Sequence, residues 1–233
     1  MGYDKQEVKS IKNAPTFNPD DVQLLQTERL HDGFFKLDRL QLRHRLFEGG
    51  WSNTLTRELF IRDDAVCLLP YDPERDQVLL IEQFRIGALQ DPSSPWMLEL
   101  VAGIVEPGES VAQVAQREAE EEAGLQVQRL ERICCYHVSP GGSQERIHLL
   151  CGQIDSRGQG GLFGLADEGE DIRALVVSRE AAFAAVNDGR INNAATLIAL
   201  QWLQLNYQRL QQLWGFDKSG ESENRADNQE TAQ

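Results

Sequence analysis

Between Gly103 and Leu125 the chain carries Arg117-Glu118-Ala119-Glu120-Glu121-Glu122 just ahead of Gly124. Ser110 and Gln113 have the spacing of a capping box, and Gly124 supplies a left-handed stop, so a helix is predicted over 110–123. At about 100° per residue, Glu118 and Glu122 lie one turn apart on one face, with Glu121 beside them and Glu120 turned away. Val111, Val114 and Ala115 occupy neighbouring angles and should pack on a sheet, so the carboxylates flank a packed face. Like charges at these spacings repel, the penalty grows beside a core, and at the C-terminal end they oppose the helix dipole. A solvated acidic face is one way to carry such a trio. A bound cation is the other, and all-oxygen ligands favour Mg²⁺ or Mn²⁺ over zinc.

The rest of the composition narrows the partners. With 37 acidic residues against 23 basic ones the net charge is −14. Residues 217–233 hold five acids and two bases, which is −3, so the body carries −11. An acidic body repels a phosphate backbone, which argues against nucleic acid as a partner. Of the basic residues 18 are arginine, whose planar fork suits a small anionic ligand. No apolar run approaches the roughly 18–20 residues that span a bilayer, and the polar N-terminus lacks a signal-peptide core. Cys67, Cys134, Cys135 and Cys151 form no C-x-x-C pair and read as small apolar residues of a reduced, cytoplasmic protein. His31, His44, His137 and His148 are scattered and read as strand residues, and Arg43 with Arg45 as a solvated strand face.

Along the chain, residues 1–20 read as a loose lead-in. Val22–Leu30, Phe34–Phe47 and Leu55–Arg62 read as strands, joined by turns at His31-Asp32-Gly33 and Glu48-Gly49-Gly50. Three strands are too few to bury a core alone, so this sheet must pack on something else, a partner subunit being one choice. From there on an α/β pattern is expected. Strands fall at 65–69, 77–83, 133–138, 146–154 and 172–177, the run 96–101 leads into Gly103, and helices fall at 110–123, 179–188 and 193–214. Residues 156–169 read as a mobile glycine-rich loop. Ile198, Trp202, Leu205 and Leu213 form one stripe of the last helix and read as core. The tail from Asp217 reads as disordered.

Gly103, Glu109 and the stretch Arg117–Leu125 resemble the signature G-x5-E-x7-R-E-U-x-E-E-x-G-U of the Nudix hydrolases; Ala119 is smaller than the bulky aliphatic usual at U. The resemblance implies an α+β fold, an α/β/α sandwich with a mixed sheet (58–215), preceded by a small antiparallel β-domain (21–57). It implies divalent-metal binding by Glu118, Glu121 and Glu122, with the Ala102 carbonyl as a further ligand and a Glu109–Arg117 ion pair bracing loop against helix. Past the signature, the chain is similar to the ADP-ribose pyrophosphatase branch in its dimeric bacterial form. Three features carry this: Pro140, fifteen residues after Leu125, in Ser139-Pro140-Gly141-Gly142; the preceding β-domain, exchanged between subunits in these dimers; and the acidic loop Ala166–Asp171. By this resemblance Glu168 is the general base and Glu170 a metal ligand. Arg85 meets the substrate phosphates, Phe34 stacks on adenine, Arg57 reaches adenine from the partner, and Ser139 lies near the terminal ribose. The implied reaction is Mg²⁺-dependent hydrolysis of ADP-ribose to AMP and ribose 5-phosphate, in a homodimer. Two alternatives stay open: another nucleoside diphosphate sugar such as GDP-mannose, and a non-catalytic nucleotide-binding regulator.

Overall fold

The computed structural model describes residues 15–165 and 169–215; the first fourteen residues, Ala166–Glu168 and the tail from 216 lie outside them. The chain divides into two compact units. The first comprises the residues up to Arg62 together with Ser139–Gln144, and the second holds Asp63–Val138 and the chain from Glu145. In the second unit Asp64 pairs with Arg146 across 2.5 Å.

In the first unit β1 (Val22–Asp32), β2 (Lys36–His44) and β3 (Leu55–Ile61) form an antiparallel sheet in sequence order. Asn18 caps a short 3-10 turn, Pro19–Asp21, where the sequence suggested only a loose lead-in. The Ser139–Gln144 loop joins this sheet through Phe60 N–H donating to Gly142 O at 2.8 Å. The unit has no buried apolar side chain among its described residues; its one buried side chain is Asp38, paired with Arg29. Val22, Leu24, Leu25, Phe34 and Phe47 are all exposed. Arg43 and Arg45, expected on a solvated face, instead hold their guanidinium carbons 5.2 and 4.3 Å from the Trp51 ring centre.

The second unit is built on eight strands. β4 (Ala65–Asp72), β5 (Gln77–Phe84), β8 (Arg129–His137), β9 (Arg146–Gln153), β10 (Gly161–Phe163) and β11 (Ile172–Ser178) take the order β10-β11-β5-β4-β9-β8, with β4 and β9 parallel and the other neighbours antiparallel. Strands β4 and β5 pair only beside their hairpin, at Tyr71↔Val78 and Asp72↔Gln77, and then part. Into the gap run β6 (Trp96–Glu99) on β5 and β7 (Val101–Ile104) on β4. Pro70, which has no N–H to give, stands between the last β4 residue paired to β7 and the first paired to β5, where the strand can spare a donor.

Alternation along the strands creates two cores. Leu68, Leu79, Ile81, Val101, Leu150 and Ile172 face α1 (Val111–Ala123), which returns Val114, Ala115 and Ala119. Leu69, Tyr71, Leu80, Leu149 and Cys151 face the other way, toward α2 (Arg179–Asn187) and α3 (Ala194–Trp214). Helices on both faces of a mixed sheet, beside a small antiparallel sheet, make the α+β architecture expected. The cysteines are free, and burial pushes the Cys67 thiol up to about 12.

Two expectations need correcting. The glycine-rich segment 156–169 contains β10, an edge strand paired to β11. On α3 the buried stripe is Thr196, Ala199, Leu200, Leu203, Leu210 and Trp214; Ile198 and Trp202 only flank it, and Leu205 is 86% exposed and Leu213 55%. The helix carries leucine around much of its circumference, and at 100° per residue the two stripes lie about 120° apart, so periodicity alone selected the wrong one. Leu203→Ala should therefore cost about 2–5 kcal/mol in urea unfolding, and Leu205→Ala less than about 0.5 kcal/mol.

Candidate active site

The C-terminal half of α1 lies on β7, and the sequence on both sides is shaped for that contact. The Ser110–Gln113 capping box is formed, and Gly124, at φ +62°, ends the helix by donating to Glu120 O. Gly124 is required twice over, since a Cβ there would also lie 2.9 Å from the Phe163 ring on β10. At the facing position on β7, a Cβ on Gly103 would fall 1.7 Å from Glu118 Oε1. The missing side chain is the space that the Glu118 carboxylate occupies. One turn on, Glu122 is buried, and its Oε2 accepts the Ala102 N–H at 2.9 Å. Glu120 faces solvent, as expected.

Arg117 supplies the nearest positive charge. Its Nε donates to Glu109 Oε1 at 3.1 Å, forming the predicted brace between loop and helix. Its Nη1 donates to Glu118 at 2.7 Å and to Glu121 at 3.0 Å. Glu170 adds a further carboxylate to the acidic group and is hydrogen-bonded to Leu165. Its N–H donates to Leu165 O, and its carboxylate accepts the Leu165 N–H at 3.3 Å. Its charge is felt by both Glu118 and Glu122. Glu168 lies outside the described residues.

On the opposite side of the gap, Arg85 follows β5, and its Nε donates to Glu99 at 2.7 Å. The amide of Gln83 is buried beside it, and its Nε2 has no hydrogen-bond partner. A buried donor left unpaired costs roughly 1–3 kcal/mol. Neither Glu99 nor Gln83 was picked out from the sequence; Glu99 is the lone polar residue of the apolar run 96–101, whereas Gln83 follows Glu82 at the end of 77–83 and carries no such signal.

The second unit thus brings together Ala102, Glu118, Glu121, Glu122, Glu170 and Arg85. Phe34, Arg57 and Ser139 belong to the first unit. There Phe34 is 88% exposed in the β1–β2 turn, edge-on to Phe35 with ring centres 4.8 Å apart. Arg57 is exposed on β3, facing Leu40, and Ser139 is exposed in its loop. A polar cleft of about 100 Å³ beside Asp72 and Arg157 and an apolar groove of about 340 Å³ beside α2 involve none of these residues.

Burial pushes Glu122 up to about 8 against the pull of the Ala102 N–H; Glu118 and Glu170 raise it further, and Arg85 opposes them. Burial likewise pushes Glu118 up to about 6, with Arg117 opposing and Glu121 and Glu170 reinforcing. Two crowded carboxylates whose charged forms are disfavoured suit a hard cation in their chemistry, which is all oxygen. As the side chains stand, no three acidic, imidazole or thiol groups among the described residues converge as metal ligands, and Arg117 engages Glu118 and Glu121.

Comparison with known proteins places this geometry. The family model of the NUDIX domain matches residues 61–197, and the chain belongs to the Nudix family. It is 52% identical over 203 residues to the ADP-ribose pyrophosphatase of Escherichia coli strain K12, covering 87% of this chain and 97% of that protein. It is 48% identical over 209 residues to the ADP-ribose pyrophosphatase of Haemophilus influenzae, covering 88% and 96%. The GDP-mannose pyrophosphatase of Pectobacterium atrosepticum is 30% identical over 181 residues, covering 77% and 92%. A crystal structure described as an ADP compounds hydrolase shares the fold, with a TM-score of 0.63 over 83% of this chain and 96% of that one at 21% identity. Nudix hydrolases generally use divalent metal ions.

Glu122 ionises near its ordinary value of 4.5 in the unfolded chain and near 8 in the fold. Between those values the folded state holds more protons, so its stability falls as pH rises. In chelating buffer, Tm should decline from pH 5 to pH 8. Glu122→Gln, which still accepts from Ala102, should flatten the profile and stabilise the protein at pH 8 by on the order of 2–4 kcal/mol; a flat wild-type profile would contradict this electrostatic account.

Proposed function

We propose that this protein hydrolyses ADP-ribose to AMP and ribose 5-phosphate with Mg²⁺, for which Mn²⁺ can substitute. We place it in the cytoplasm as a homodimer that takes a small nucleotide and has no nucleic-acid or membrane partner. The observation that carries the chemistry is the packing of Glu118 and Glu122 against β7, where burial disfavours their charged forms and a cation would favour them. The likeness to ADP-ribose pyrophosphatases at 48–52% identity, against 30% for a GDP-mannose enzyme, favours the substrate. Arg117, Glu118, Glu121 and Glu122 are all present, which favours an enzyme over a non-catalytic regulator. Among the described residues no helix is long and apolar enough to cross a membrane.

In this reading Glu118, Glu121, Glu122, Glu170 and the Ala102 carbonyl hold the metal. When bound, it supplies positive charge to the pyrophosphate and lowers the pKa of water. Glu168 takes the proton from the attacking water, whose oxygen bonds to phosphorus as the bridging oxygen leaves. Arg85 turns from Glu99 to the phosphates, and Ser139 borders the terminal ribose. Phe34 and Arg57 grip adenine, and the sheet register bears on how. Arg57 pairs with Leu40, whereas the turn carrying Phe34 follows the pair Lys36↔Ile61, four residues or about 13 Å further along. That separation favours a base held by Phe34 of one copy and Arg57 of the other. That no apolar side chain is buried among the first unit's described residues supports the same assembly.

Three measurements test this reading. A panel of sugar nucleotides with Mg²⁺ should give the highest kcat/KM for ADP-ribose; a tenfold lead for GDP-mannose would overturn the substrate. The Glu118→Gln, Glu122→Gln double variant should lose turnover by at least a thousandfold while remaining folded, and unchanged turnover would remove the metal assignment. Light scattering should give twice the chain mass of 26.3 kDa; a monomer would exclude the two-copy adenine clamp.

A further inference from the structure

We propose that Gln83 is a positioning residue for the substrate-bound state: its side-chain nitrogen takes over the Glu99 carboxylate when Arg85 leaves it. This rests on the reading of Arg85 given above.

Strand register places the three side chains on one face. Gln83 pairs with Met97 and Ile81 with Glu99, so Gln83 and Glu99 are diagonal neighbours, with Cβ atoms about 7 Å apart. Arg85 stays in register by donating its N–H to Pro95 O at 2.8 Å. Arg85 lies two residues beyond Gln83, yet its Nε reaches Glu99 at 2.7 Å, so the pair runs along the strand past the Gln83 position. Gln83 is only 7% exposed, and its Nε2 finds no acceptor. Arg85 cannot help, because a guanidinium only donates. The nearby acceptor of matching chemistry is Glu99, whose carboxylate offers several lone pairs and is engaged by Arg85. Its side chain is 16% exposed, so water is a poor replacement once Arg85 departs. An amide that is orphaned in the free protein thus becomes satisfied in the bound one. The same exchange lowers the penalty of opening the Arg85–Glu99 pair.

Thermal melting tests the exchange without substrate. Gln83→Met should leave Tm within about 2 °C of wild type, since no bond is lost. In an Arg85→Met background, where Glu99 is released, adding Gln83→Met should lower Tm by at least 4 °C. Equal effects in the two backgrounds would overturn the proposal. In turnover of ADP-ribose, Gln83→Met should raise KM about tenfold with kcat changed less than threefold, and it should have no further effect in a Glu99→Met background, where the acceptor is gone. A loss confined to kcat, or the same loss in both backgrounds, would also overturn it. Gln83→Leu serves the same comparisons if the methionine variant does not fold. Melting coupling in a protein that leaves ADP-ribose intact would uphold the exchange and refute the substrate. Normal wild-type turnover without coupling would do the reverse.

Discussion

Burial of the Glu118 and Glu122 carboxylates against β7 is the constraint around which the larger unit is arranged. Gly103 has no side chain because Glu118 occupies its place, and the Ala102 N–H points at Glu122. Arg117 gathers Glu109, Glu118 and Glu121 and partly offsets their repulsion. Gly124 ends the helix where the Phe163 ring needs room, which fixes the C-terminal end of α1 beside the strand leading to Glu170. Burying the two carboxylates costs stability by itself, and the ion pairs, the Ala102 N–H and the Gly124 cap offset part of that cost. Together they hold negative charge in a place that water reaches poorly, the condition under which a dication is bound most strongly.

The parting of β4 and β5 makes this placement possible. A regular sheet would close that gap with backbone hydrogen bonds, and the segment 96–104 would have to cross over one face. Instead β6 and β7 fill the gap as strands. This sets Glu99 and Gly103 on the α1 side of the sheet and Leu98 and Ala102 on the other. Arg85, a donor, and the glutamates of α1, all acceptors, then sit within electrostatic range across one small region. For an anionic ligand in a chain of net charge −14, such a local pairing of signs matters more than the overall charge.

The smaller unit follows a different rule. Its strands alternate as strands should, yet among its described residues no apolar side chain is buried, and several large ones are exposed. Hydrogen-bonded pairing, the Arg29–Asp38 and Arg39–Glu28 ion pairs and the arginines over Trp51 hold its register. Surface ion pairs contribute little, so an isolated three-stranded sheet of this kind is marginal.

Local chemistry made much of this legible from the chain alone. The α1 caps, the outward turn of Glu120, the Glu109–Arg117 brace and the placing of Val114 and Ala115 on the sheet depend on residues a few positions apart, where helical geometry leaves little choice. Strand positions followed from alternation for the same reason. Contacts between distant segments were not legible: which leucine stripe of α3 is buried, β10 within a glycine-rich stretch, the split between β4 and β5, and the meeting of Arg85, Glu99 and Gln83. Periodicity tells which residues share a face but not which face finds a partner, and only the packing of segments far apart in the chain decides that.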